Sequence, residues 1–473
     1  MLRLKREQRD FWEDLLPPEA LRLNPELEAV DTLLDDEAFL APFRKRFSAK
    51  RGRYTIPMET YLRLMYLKRR YQMGYESLMT EVNDSVSWRR FCRISLSDPV
   101  PDASTLIKLT NGPCQGLELE VHQEVVRALR ERKVLRGRKA RTDTTVVEAN
   151  IHYPTDAGLL ADGVRTVTRT VKRIQALGAS AEVEFRDVRR SVRRRLQHLA
   201  KGLKKEGTDR KSLRNTLTKE VLAITQRMVL QAKEVAAAAK PWLGSLRHRP
   251  GRGQEDRLWC RGKRLVGQLE GWLEGTERVV EQTTRVLAGE VHIPDRLVSL
   301  FDPEARPIRK GKLRAPTEFG YKVVVTDDDR GFVTDYQVLQ GNPPDRDQLV
   351  PAIERHSALV GEVPWEVAGD RGMGSLANEA ALQAMGVVHC SLPKSGSRTS
   401  AERDKEKRSW FRRLQRFRAG GEARISLLKR KYGWRRSLQR GSDRVTSWVG
   451  WGAIAHNLTR YGRMQVARVG QQS

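Results

Sequence analysis

Cysteine is scarce in this chain: four residues, Cys92, Cys114, Cys260 and Cys390, stand far apart and form no C-x-x-C pair. A zinc site built from them is not expected, and in a reducing compartment they read as buried or incidental thiols. Long apolar runs are missing too. No stretch approaches the roughly 20 residues that span a bilayer. The segment from Met1 to Asp14 is charged and lacks the apolar centre of a secretory leader, so a cytoplasmic, nucleoid-associated protein with no membrane partner is expected. A G-x-x-x-x-G-K-[ST] loop is absent, and no Ser/His/Asp arrangement stands out, so neither a nucleotide cofactor nor a covalent nucleophile is expected. Negative charge is also short. Acidic residues number 59 against 88 basic ones, which leaves a formal net charge of +29. Such an excess repels itself and calls for a polyanionic partner. DNA or RNA is the first candidate, because each phosphate contact releases counterions; an anionic membrane surface is the second.

What the chain does have is enough apolar material to fold, 39% of 473 residues, and a length that exceeds one hydrophobic core. Residues 1–135 read as helical. Met58 to Tyr71 places Tyr61, Leu64, Met65 and Lys68 on one face, Gly74 interrupts, and Tyr75 to Val82 resumes as a second helix. Asp102 is placed to cap another. Lys139 to Asn150 is a β-branched run that reads as a strand. From 157 to 290 the texture is long, basic and helical, with Phe185, Val188, Val192, Leu196, Leu199 and Leu203 recurring at helical spacing among many arginines and lysines. Arg247 to Gly253 reads as a loop within it. Strand texture then returns: Gly320 to Thr326 and Phe332 to Leu339 flank Asp327-Asp-Asp-Arg-Gly331 as a hairpin. Glu362 to Asp370 is another strand, Ser375 can cap and Gly386 close a helix, and Val387 to Leu392 extends again. The order indicates an α/β domain interrupted by a helical insertion.

Three carboxylates stand out by context. Asp143 sits in the strand-like segment beside Thr142, Thr144 and Thr145. Asp370 ends its strand just before Arg371-Gly-Met-Gly, and sites in open α/β sheets form at carboxyl ends of strands. Glycines 369, 372 and 374 suggest a tight turn with room for a ligand. Glu422 lies in Arg418-Ala-Gly-Gly-Glu422-Ala-Arg-Ile-Ser-Leu-Leu-Lys429, where a helix would align Arg418, Glu422, Ser426 and Lys429. Gly420 and Gly421 each cost a helix about 1 kcal/mol relative to alanine, so something approaches closely there or the helix begins there. Carboxylates are hard ligands suited to Mg²⁺, and two metals about 4 Å apart can carry phosphodiester chemistry, while Arg418 and Lys429 grip DNA oxygens.

These motifs, in order, resemble those of bacterial insertion-sequence DDE transposases. Arg418-x3-Glu422-x6-Lys429 is similar to the signature around that group's catalytic glutamate. Thr142-Asp143-Thr-Thr-Val-Val-Glu-Ala-Asn resembles the first-aspartate motif and Ala368-Gly-Asp370-Arg-Gly the second. Phe301 to Gly311 followed by Glu318-Phe-Gly-Tyr-Lys, and the Trp88-Arg-Arg-Phe91 region, are similar to further family segments. The group usually has a tyrosine three residues before the arginine; here that position is Gln415. The resemblance implies an α/β fold: an RNase H-like catalytic core with a helical N-terminal domain and a basic helical insertion. Its parts would be 1–135, helical and contacting DNA ends; 136–156, the first part of the core; 157–290, the insertion; and 291–473, the rest of the core. It implies catalytic and metal-binding roles for Asp143, Asp370 and Glu422 with Mg²⁺ or Mn²⁺, and DNA contacts from Arg418 and Lys429. The partners implied are double-stranded DNA, as transposon ends and target, and a second copy in a homodimer on DNA. The rival readings are a nuclease of the same fold and a transposase-derived DNA-binding protein without catalysis.

Blander roles are expected elsewhere. Asp327, Asp328 and Asp329 read as turn residues, because consecutive side chains do not converge. His389 and His456 read as core or surface histidines, and Trp448 and Trp451 as packing against the glutamate helix. Glu402 and Glu406 stand near enough to compete with Glu422, and Glu148, Asp156 and Asp162 are open between support and DNA contact.

Overall fold

In the computed structural model, which describes residues 1–3, 11, 15–48, 52, 54–180, 182–204, 209–246, 253–290, 292–309, 317–394, 396 and 399–471, the chain separates into two units. One is Met1–Asn150 with Lys310–Ser473, and the other is Ile151–Arg309. Each forms around its own buried apolar residues, so each is treated by itself.

The first unit begins with α1 (Pro25–Leu34), α2 (Ala41–Arg46), α3 (Met58–Arg70), α4 (Tyr75–Asp84), α5 (Val86–Phe91), α6 (Ala103–Thr110) and α7 (Leu117–Glu131), followed by β1 (Lys139–Ala149). Caps explain several starts. Asn24 accepts the Leu27 N–H at 2.8 Å and Asp102 accepts the Ser104 N–H at 2.7 Å, each satisfying a donor that the first turn leaves open. The second unit is built mainly of α8 (Asp156–Gln175), α9 (Arg189–Gly202), α10 (Arg210–Ser245) and α11 (Gly253–Leu287), with a short strand at Arg306–Arg309. The chain then returns to the first unit with β2 (Thr317–Asp328), β3 (Val333–Val338), α12 (Leu349–Val360), β4 (Glu366–Gly369), α13 (Leu376–Ala384) and β5 (His389–Ser391). It ends with α14 (Ser400–Lys407), α15 (Ser409–Lys431), β6 (Arg436–Ser437) and α16 (Ser442–Val469).

These strands form a mixed sheet in the order β3-β2-β1-β4-β5, with β6 paired to the far end of β1. β2 runs antiparallel to both β1 and β3, while β4 pairs parallel with β1 and β5 parallel with β4. β1 is central, and its threonines are buried with its valines. A buried hydroxyl needs a partner, and Thr142 meets Thr326 across the β1–β2 pair at 2.9 Å. The hairpin is longer-stranded than its composition suggests. Asp327 and Asp328 are the last residues of β2, both buried, with a register shift between Thr326 and Asp327, so only the residues beyond them turn. The strand expected from 362 to 370 is shorter, since Glu366–Gly369 alone pairs. Ser375 caps α13 through the Asn378 N–H at 3.0 Å, and Gly386, at φ +103°, follows its end.

α16 joins the helical and sheet parts of this unit, packing on α1, α3, α7 and β3. Its glycines allow that closeness. A Cβ on Gly452 would lie 2.6 Å from the Tyr432 carbonyl oxygen and the Trp434 ring nitrogen, and one on Gly462 would lie 2.7 Å from the Glu26 carbonyl oxygen. Trp451 meets Tyr61 of α3 edge to face at 5.9 Å, and Arg69 of α3 lies 3.7 Å over the Trp448 ring. Both tryptophans therefore serve the joint with α3, and Trp448 also donates its ring N–H to the Gly433 carbonyl oxygen, just past the glutamate helix, at 2.7 Å.

In the second unit α8 and α11 touch closely enough that a Cβ on Gly163 would sit 2.7 Å from Thr276. Leu160, Val164, Val167 and Val171 of α8 pack with Val221 and Val235 of α10 and Leu265 and Leu269 of α11. Val192 of α9 joins them. Phe185 and Val188, expected on the same helix, precede it but pack against the same core. Residues 247–252 of the expected loop, and Lys205 of the basic run, lie outside the described residues. No described helix is long and apolar enough to cross a membrane.

Trp451 fills the joint between α16 and α3 and is almost wholly buried. Trp451→Ala should cost about 3–5 kcal/mol, the range for deleting a buried aromatic, read as a lowered midpoint in chemical denaturation. A loss under about 1 kcal/mol would mean that the joint does not depend on this ring.

Candidate active site

The parallel pairing of β1 with β4 ends at Thr142 opposite Gly369. The next residue on each strand is an aspartate, Asp143 and Asp370. Neighbouring strands are about 4.8 Å apart, so the register alone sets these two residues side by side where β4 stops and β1 continues. Asp143 is half-buried and its Oδ1 accepts the Thr144 N–H at 2.7 Å. Asp370, exposed, accepts the Arg371 N–H at 2.6 Å and caps a single 3₁₀ turn, Arg371–Met373. None of the three glycines here has a positive φ. Gly369 and Gly374 instead give clearance, since a Cβ would lie 2.8 Å from Leu392 and 2.4 Å from the Pro393 carbonyl oxygen respectively. Those two glycines serve packing, not a ligand pocket.

α15 supplies the remaining groups. It is one continuous helix, so Arg418, Glu422, Ser426 and Lys429 do share a face, and the glycine pair is not its start. Arg418 reaches both other carboxylates: its guanidinium nitrogens lie 3.6 Å from Asp370 Oδ1 and 3.3 Å from Glu422 Oε1. It also lines a small cavity with Thr142, Asp143 and Gly421. Arg418 thus contacts two of the three acids and shares a cavity with the third. Glu422 is 70% exposed. Lys429 stands about 10 Å further along the helix axis, two turns from Glu422. Among the described residues, no three His, Cys, Asp or Glu side chains stand close enough together to hold a metal ion. Asp370 and Glu422 are instead bridged by a cation, Arg418.

What fixes α15 above the strands is a residue that the motif reading missed. Arg141, two positions before Asp143 and so on the same face of β1, is buried and pairs bidentately with Asp327 of β2 at 2.7 and 2.6 Å. It also donates to the Phe417 carbonyl oxygen and lies 4.5 Å from the Phe417 ring. Arg424 of α15 reaches the same aspartate at 3.2 Å. The glycine pair makes room for this. A Cβ on Gly420 would sit 2.8 Å from Arg141 Nη1, and one on Gly421 3.4 Å from its Cδ. Two signals could have found the cluster: an arginine inside a β-branched strand, and two glycines in the middle of a helix. The helix start is tied separately, for Gln415 donates to the Ser391 carbonyl oxygen and hydroxyl at 3.0 and 2.9 Å.

The competing acids have other uses. Glu402 forms a capping box with Thr399 at the start of α14 and pairs with Lys394. Glu148 pairs with Arg436 at 2.8 Å, Asp156 with Arg296 at 2.8 Å, and Asp162 with both His152 and Arg165. His456 donates its Nε2–H to the Gly331 carbonyl oxygen, 3.0 Å away, and burial drives its pKa down to about 3. His389 stacks on Trp410 at 4.6 Å. Asp328 accepts the Phe332 N–H at 2.8 Å, and burial, with Asp329 and Asp327 beside it, pushes its pKa up to about 7.

Two comparisons with family models match. A transposase domain, DUF772, matches residues 11–111, and a transposase DDE domain matches residues 291–458. No curated protein and no solved structure matches the chain. The second match includes Asp370, Arg418, Glu422 and Lys429; Asp143 lies outside both.

Alanine normally gains about 1 kcal/mol over glycine inside a helix. Gly271→Ala in α11, where a Cβ meets nothing within 4 Å, should show that gain. Gly420→Ala should instead destabilise the fold, because the group it meets is held by Asp327 and the Phe417 carbonyl; equal gains at both sites in urea titrations would refute the clamp. Asp328 gives a pH test. Its folded pKa lies above its unfolded one, so its contribution is full below about pH 4 and is lost as pH rises through about 7. Relative to Asp328→Asn, the unmodified protein should therefore lose stability between those pH values and level off above; a flat difference would contradict this.

Proposed function

The chain belongs to the insertion-sequence DDE transposases, and from that premise we propose that it cleaves DNA at terminal inverted repeats and joins the freed 3′-hydroxyls to target DNA. The observation that carries the residue assignment is the β1–β4 register, by which Asp370, just past the end of β4, falls beside Asp143 within β1. Support for an RNase H-like core comes from the strand order β3-β2-β1-β4-β5 with β2 alone running against the others.

The family is generally dependent on divalent metal. The donor chemistry here fits, since three carboxylates offer hard oxygens to Mg²⁺ or Mn²⁺. Asp143, Asp370 and Glu422 would hold the ions, and the chemistry supplied there would be activation of the attacking water or 3′-hydroxyl and stabilisation of the leaving oxygen. For that, Arg418 turns its guanidinium from Asp370 and Glu422 to a DNA phosphate, for which its planar fork is well suited. Lys429, further along the same face, meets the next stretch of backbone. Glu422 is exposed on a helix and adjusts by side-chain rotation, whereas Asp143 is held by its strand. Acting on two ends in one reaction calls for two copies of the chain on DNA.

The test is cleavage and joining of labelled DNA carrying the gene's flanking sequence, with Mg²⁺ or with EDTA. Metal-dependent nicking at a fixed end, followed by joining, is the expected result. Loss of an outer partner of a metal ligand costs about 10–100-fold, so Asp143→Asn, Asp370→Asn and Glu422→Gln should each exceed 100-fold loss while DNA binding persists. Cleavage without joining would make this a nuclease. Binding without cleavage under any divalent metal would leave a DNA-binding protein and overturn the catalytic reading.

A further inference from the structure

α9 carries the most concentrated run of basic side chains in its unit, with five arginines between positions 189 and 195. From Arg186 to Lys204 the chain carries eight basic side chains and one acidic one. Elsewhere in the unit some cations are matched to acids: Arg165 to Asp162, Lys233 to Glu277, Lys240 to Glu270, Arg285 to Glu290 and Arg296 to Asp156. Within the segment, Arg189 is met by Asp187 and Arg195 by Glu220. Arg190, Arg193, Arg194 and Lys201 are all exposed, and among the described residues none of them has an ion pair. Their orientation is fixed, because the other side of α9 buries Val192 and Leu199. Arg190, Arg194, Gln197 and Lys201 recur at steps of four, three and four, with Arg193 beside them, so they form one stripe facing solvent.

We propose that this stripe binds the backbone of duplex DNA without reading sequence, a reading that rests on the chain's acting on DNA. Four unmatched cations close together on one helix repel one another, and a polyanion relieves that repulsion. The eleven-residue step from Arg190 to Lys201 spans about 17 Å, the axial length of about five phosphates on one strand. The stripe's composition selects among polyanions. No aromatic residue interrupts it, so it offers no platform for the unstacked bases of a single strand. A membrane-surface helix needs an exposed apolar face, and the apolar face of α9 is packed in the core.

The experiment uses the full chain and a labelled duplex of arbitrary sequence, with affinity measured across salt concentrations. Replacing Arg190, Arg193, Arg194 and Lys201 together by Gln should weaken binding at least about 10-fold at 100 mM salt and reduce the slope of log affinity against log salt by about 3–4. The variant Arg190→Lys, Arg193→Lys, Arg194→Lys should keep the slope, and so should Lys233→Gln with Lys240→Gln, whose cations are already matched. Unchanged affinity and slope in the Gln variant would overturn the proposal. So would tighter binding to phosphatidylserine vesicles than to duplex, or an equal loss from the Lys233/Lys240 pair. Asp370→Asn separates this from the catalytic reading, since it should abolish cleavage and leave the salt slope as it was.

Discussion

A single buried guanidinium holds the site together. Arg141 is committed to Asp327 on the neighbouring strand and to the Phe417 carbonyl on α15, so two strands and a helix share one cation. Breaking one partner of a buried ion pair costs about 3–5 kcal/mol, because the other is left without its countercharge. Such an arrangement tolerates little displacement. It sets the helix height, the glycine pair makes that height reachable, and Arg418 and Glu422 are carried with the helix to the level at which β4 stops beside β1. The pair's net contribution to stability is a separate matter; its effect is on where α15 can lie.

The chain handles its positive charge in two ways. Inside and beside the sheet, arginines are spent on structure: Arg141 and Arg424 on Asp327, Arg63 on Asp31 and Asp35, and Arg69 on the face of Trp448. These do not contribute to a phosphate-facing surface, although composition counts them equally. On α9 four cations, Arg190, Arg193, Arg194 and Lys201, are left outside and without an ion pair among the described residues. A net charge of +29 is therefore a poor guide to where a polyanion sits, and the pattern of pairing is a better one.

Around the sheet, the buried titratable groups are mostly structural. His122, like His456, is held neutral by burial and contacts a backbone carbonyl of the β2–β3 hairpin, at Val333 and Gly331 respectively. Asp327 and Asp328 occupy the end of β2, one serving the clamp and the other closing the hairpin on the Phe332 N–H. An acidic triplet that composition suggests is solvated is two-thirds interior. Consecutive residues on a strand face opposite sides, so the two buried acids meet different partners.

Much of this was readable from local pattern. The helical first 135 residues, the strand at Asp143, the caps at Asp102 and Ser375, the hairpin and the alignment of Arg418, Glu422 and Lys429 depend on spacing and on groups a few residues apart. The family resemblance followed from the same short motifs. Other features were not readable, because they join residues far apart in the chain. Arg141 meets Asp327 across 186 positions, and Trp451 meets Tyr61 from the far end of the chain. The glycine pair announced a close approach, but only the fold identified Arg141 as what approaches. Sequence by itself determined which chemistry-bearing residues this protein has and on which elements they ride. Tertiary structure alone decided that Asp143 and Asp370 are level neighbours and that Arg418 stands among the acids, because strand register and the seating of a helix are set by contacts that local spacing does not contain.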